Sequence, residues 1–150
     1  MDELKTYTII DSVTPKAKRT KEGQVIRKTV IGLYIQANDS AARYFSDKAF
    51  ELVQMVRHKD VEDPKIPVDG SSWALDLSDD EEKISLLAWA EKAIIRDPPD
   101  DESLPVILLS INCTTEKELL WFLVRNIQNA IHAKFKRRQM EFFGENGGKS

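Results

Sequence analysis

The clearest hydrophobic pattern in this chain runs from Leu104 to Phe143. Leu104-Pro105-Val106-Ile107-Leu108-Leu109-Ser110-Ile111-Asn112 is apolar almost without interruption and too short for a helix, so it reads as a strand buried on both faces. Thr115-Glu116-Lys117-Glu118 follows as a capping box, in which hydroxyl and carboxylate satisfy the free N–H groups of a helix start. Leu120, Leu123, Val124, Ile127, Ile131 and Phe135 then recur at spacings of three and four. Leu119 and Phe122 widen this stripe, and Trp121 lies on its flank. The spacing predicts one long helix over 116–139, about 36 Å at about 1.5 Å per residue. A domain of this size has a radius of gyration of about 15 Å, so such a helix would cross it from side to side. Gly144 is placed to end it.

Upstream, the period changes several times. Residues 6–13 alternate and are rich in β-formers, and 24–35 do the same, predicting two strands. The polar stretch 14–23 between them, bounded by Pro15 and Gly23, predicts a hairpin with a long, mobile, basic loop. Gly32 inside the second strand points to a bulge or a close packing partner. Asn38-Asp39-Ser40 supplies caps for a helix to about His58, with Ala42, Phe45, Ala49, Leu52, Val53 and Val56 as its inner stripe. An irregular connection over 60–72 leads to a short edge strand, Trp73–Leu77. Ser78-Asp79-Asp80-Glu81 reads as a second capping box, opening a helix to about Ile95. Ile84, Leu87, Ala88, Ile94 and Ile95 would face inward, with Trp89 adjacent and Glu91 near the inner face. Pro98 and Pro99 stop that helix.

The order β-β-α-(β)-α-β-α predicts an α+β domain: a mostly antiparallel sheet of three to four strands with three helices packed on it, including the long C-terminal helix. A doubly wound α/β sheet is the alternative. The chain divides into one globular domain over 1–143 and a disordered tail over 144–150.

Composition narrows the function classes. No apolar run reaches the length of a membrane span and the N-terminus carries no apolar signal segment, so a cytoplasmic protein without a membrane partner is expected. Cys113 is the sole cysteine, which excludes an internal disulfide and suits a reducing compartment. With only His58 and His132 beside it, no zinc site is expected, and no cofactor is implied. The net charge of −3 is unevenly spread. Residues 1–38 hold seven Lys and Arg against four Asp and Glu, whereas 39–96 hold eight against thirteen.

Four groups of residues are candidates for chemistry. Cys113 sits ahead of a predicted helix N-terminus but has no base or motif around it, and reads as a small buried hydrophobe. The carboxylates at 76–82 and 97–102 lack metal-loop spacing and read as solvated caps. Two basic clusters, Lys16, Lys18, Arg19 and Lys21, and Lys134, Lys136, Arg137 and Arg138, could straddle a phosphate backbone if they met in space. Trp121 flanks the apolar stripe, and Met140, Phe142 and Phe143 extend past the length the domain can easily cover; together they suggest a partner surface. The expectation is a non-enzymatic protein that binds another protein, as adaptor, inhibitor or assembly subunit, most simply as a homodimer. The alternative is a nucleic-acid-associated accessory protein using the two basic clusters. A small enzyme working through carboxylates or Cys113 ranks third.

Overall fold

The computed structural model describes residues 2–59, 61–97, 104–114 and 116–138. Its elements are β1 (Glu3–Arg19), β2 (Val25–Gln36), α1 (Asp39–Phe45), α2 (Asp47–Arg57), β3 (Lys65–Ile66), β4 (Ser72–Ser78), β5 (Lys83–Arg96), β6 (Val106–Thr114), α3 (Lys117–Arg125) and β7 (Ala130–Arg137). The sheet therefore has seven strands rather than three to four, and the helices are short. Its order is β3-β5-β4-β7-β1-β2-β6, with β5 pairing to β6 as well. That last pairing closes six strands into an antiparallel barrel, which removes most free edges. Strand β3 is a short addition on the far half of β5.

The long C-terminal helix is replaced by α3 and β7. Helix α3 ends at Asn126, and Gln128 then takes a left-handed backbone (φ 69°) that no helix can continue through. The N–H of Gln128 donates to the carbonyl of Ile10 at 2.8 Å, redirecting the chain onto the barrel wall. From there Ile131, Ala133 and Phe135 face inward, while Ala130, His132 and Lys136 are exposed. This is a period of two. Leu119, Phe122 and Leu123 are the buried face of α3, whereas Val124 is exposed. Glu116 caps the helix without a side-chain hydrogen bond, and Thr115 lies outside the described residues.

The predicted helix over 78–95 is also a strand. The carboxylate of Asp79 accepts from the N–H groups of Glu81 and Glu82 at 2.8 and 2.9 Å, so it closes the β4–β5 turn instead of capping a helix. A bulge between Ala90 and Lys92 shifts the register of β5. Leu86 and Ala88 are buried before it, and Ala93 and Ile95 after it. Glu91 sits in that bulge, exposed.

Asn38 does cap a helix, accepting from Ala41 N–H at 2.9 Å, but that helix breaks at Ser46, which ends α1 and caps α2. The stripe from Ala42 to Val56 is buried as its spacing predicts. Strand β6 buries Ile107, Leu109, Ile111 and Cys113 inward, and its other face is partly covered rather than buried throughout, apart from Asn112. The bulge signalled by Gly32 is real. Strand β1 carries the extra residue at Asp11, and a Cβ on Gly32 would stand 2.7 Å from Ser12 Oγ.

The two mouths of the barrel are plugged. At one, Phe45 meets Trp73 and Phe135 edge to face, with ring centroids 5.9 and 5.8 Å away. Arg137 lies over the Tyr44 ring, 4.8 Å from its centre, and donates to the Tyr44 carbonyl. At the other mouth, α3 inserts Phe122 and Leu123 and is latched to the β4–β5 turn. Asp79 Oδ2 accepts from Arg125 at 2.7 Å and from Asn126 at 3.0 Å. Those two donors, with the turn N–H groups, hold the Asp79 carboxyl well below the usual carboxylate range. Among the described residues, no helix is long and apolar enough to cross a membrane.

Candidate nucleic-acid interface

The residues expected to form a loose basic loop instead continue β1. Pro15 to Arg19 pair in register with Thr29 to Val25, and only the turn over 20–24 remains unpaired. Thr20 closes that turn: its N–H donates to the Gln24 carbonyl at 2.8 Å and its hydroxyl accepts from Gln24 N–H at 3.1 Å. Gly23 supplies the left-handed φ of 87° that the turn requires. Strand β7 leaves β1 at Ile9, and β6 leaves β2 at Lys28. The tip of the hairpin therefore projects from the α3 end of the barrel as a two-stranded arm.

Register decides what the arm presents. Lys16 is directly opposite Lys28, Lys18 opposite Ile26, and Ala17 opposite Arg27. Residues paired across antiparallel strands share a face, so Lys16, Lys18 and Lys28 lie together, with Arg27 and Arg19 on the reverse. Arg27 and Lys28 were missed as site residues because they belong to the second predicted strand. The signal that could have found them is the hairpin itself, since in-register pairing brings them beside Lys16 and Lys18. Among the described residues, none of the arm's cations is within ion-pair distance of a carboxylate.

The second basic cluster is elsewhere. Lys136 pairs with Glu3, thirteen residues before Lys16 on the same strand, about 40 Å away at about 3.3 Å per residue. The two clusters are not brought together. Arg137 is engaged with Tyr44, and Lys134 is ion-paired with Glu3 at 3.7 Å. Lys134 does line a hollow of 660 Å³ on the outer wall, with Lys5, Lys83, Tyr7, His132 and Asp76. Lys5 shares Glu3 with it and Lys83 pairs with Asp76, so the charge in that hollow is largely balanced.

The remaining candidates are placed as follows. Trp121 is exposed at 67% on α3, beside exposed Val124. Met140, Phe142, Phe143, Gly144 and the tail over 144–150 lie outside the described residues. Cys113 points into the barrel, fully buried, and burial pushes its thiol up to about 11. Asp79 and Glu82 are engaged with Arg125. Among the described residues, no group of His, Cys, Asp or Glu is arranged to hold a metal ion. No family model, curated protein or solved structure matches this chain.

Proposed function

We propose that this protein binds nucleic acid through the phosphate backbone, using the basic arm formed by the β1–β2 hairpin. The observation that carries the reading is the cross-strand pair Lys16–Lys28. Like charges directly opposite each other destabilise a sheet unless something negative lies over them. Lysine on a free strand edge has another use, which is to discourage pairing with a second chain. That use covers Lys16 and Lys18 on β1 but not Lys28, which is flanked by β1 and β6. An intracellular setting, in keeping with a single cysteine, belongs to this reading.

Reversing Lys16, Lys18 and Lys28 to Glu tests it. Binding to mixed-sequence oligonucleotides should weaken alike for all sequences, and the slope of log K against log salt should flatten by about 2 to 3 units. Circular dichroism should be unchanged, because all but the half-buried Lys28 are exposed. An unchanged slope, or no binding of the unaltered protein at low salt, would remove the proposal.

A second reading, binding to another protein, rests on the exposed Trp121 and Val124 of α3. Its simplest form is a homodimer. Sedimentation equilibrium at high concentration should then give twice the chain mass, falling to the chain mass in Trp121→Glu; a monomeric parent protein would count against it.

A further inference from the structure

Strand pairing carries the face of the arm onto the barrel wall in rows. Lys16 and Lys28 are continued by Thr114 on β6. The next row is Thr14, Val30, Asn112 and Trp89. The row after it is Ser12, Gly32, Ser110 and Lys92. Rows on one face are about 7 Å apart, two strand residues.

Two features of the middle row call for a ligand. Trp89 is exposed at 42% on the outer wall, one row from the Lys16–Lys28 pair. Beside it, Asn112 is 5% exposed, and its Oδ1 has no hydrogen-bond partner among the described residues. A lone exposed tryptophan is ordinary. A covered amide oxygen without a donor is costly, and here it stands next to that tryptophan. The surroundings carry a small excess of positive charge. Lys16, Lys28 and Lys92 flank the row, against Asp11 at the β1 bulge and Glu91 at the β5 bulge. In the neighbouring row Ser12 Oγ fills the space over Gly32, and Ser110 beside it is small and half-buried.

Aromatic faces and lysines alternating on a sheet suit unpaired bases. A base can stack on an indole only when one of its two faces is free of a neighbouring base. In a duplex both are occupied. We infer that the arm and this outer wall hold single-stranded nucleic acid, with a base stacked on Trp89 beside Asn112 and phosphates on Lys16, Lys28 and Lys92. The inference rests on the reading of the arm as a nucleic-acid-binding device and adds the form of nucleic acid it takes.

The test compares a fluorescently labelled mixed-sequence single strand with its duplex, using the full chain. The single strand should bind more tightly and should quench tryptophan fluorescence. Trp89→Ala should weaken single-strand binding by about 5- to 100-fold while leaving duplex binding and the salt slope unchanged. Trp89→Phe, which keeps an aromatic face, should recover most of the loss. Equal affinity for single strand and duplex would overturn the inference, as would a Trp89→Ala variant that binds the single strand normally. If Trp89→Ala is silent but reversal of Lys16, Lys18 and Lys28 abolishes binding, the arm stands and the stacking site falls. If neither nucleic acid binds at low salt, and an acidic peptide binds instead, both readings fall together.

Discussion

Ala133→Asp should unfold this protein or leave it barely folded. Ala133 is 3% exposed on β7, paired with Thr6 of β1 and Leu77 of β4, and it points into the barrel between Ile131 and Phe135. A carboxylate there has no cation to meet, and an unpaired buried charge costs several kcal/mol. The expected loss is about 4 kcal/mol or more, against a total stability of about 5–15 kcal/mol for a domain of this kind. The substitution also separates a strand from a helix at this position. On a helix whose stripe ran through Ile127, Ile131 and Phe135, residue 133 would point about 200° away from the stripe, into solvent. Aspartate would then cost well under about 1 kcal/mol, chiefly through lower helix propensity. Urea titration of the two proteins decides the matter, and a midpoint close to that of the parent would mean that β7 is not a strand.

The misreadings of this chain have identifiable physical origins. Ile127, Ile131 and Phe135 are spaced by four, which satisfies a helical period and a strand period alike. The residue that breaks the tie is Ala133, too small to weigh in either pattern. In β5 the bulge between Ala90 and Lys92 moves the inward phase by one residue, so Ile84, Leu86 and Ala88 fall out of step with Ala93 and Ile95. Across the whole window, alternation is lost and the eye finds a period near 3.6. Ser78-Asp79-Asp80-Glu81 misled for a different reason. A short carboxylate side chain satisfies free N–H groups equally well at a helix start and in a tight turn, and only the tertiary partners, Arg125 and Asn126, show which end it serves.

Where pattern and local chemistry agreed, the reading held: strand over 6–13 and 24–35, the bulge opposite Gly32, and the stripe of α1 and α2. The candidate interface was half legible. Lys16 to Lys21 stood out as a run, but Arg27 and Lys28 acquire meaning only through the register of the hairpin. The link between Trp89 and Asn112 was beyond reach, because it depends on β5 meeting β6 across the closure of the barrel.

Phe135→Ala should cost about 3–5 kcal/mol, the usual range for deleting a buried aromatic side chain. Phe135 is fully buried, and its ring meets those of Phe45 and Trp73 at 5.8 Å in edge-to-face geometry. Tyr44 completes the group at 6.4 Å. These rings come from α1, β4 and β7, elements far apart in sequence, so the cluster joins the helical plug to the barrel. Each aromatic pair adds about 0.5–1.5 kcal/mol beyond the area it buries, which puts the expected loss toward the upper end of the range. The same substitution should weaken the near-ultraviolet circular dichroism, because Trp73 loses a rigid neighbour, while the far-ultraviolet signal of the strands persists below the midpoint. A variant that melts as the parent does, with its near-ultraviolet spectrum intact, would mean that α1 is not held to the barrel through this cluster.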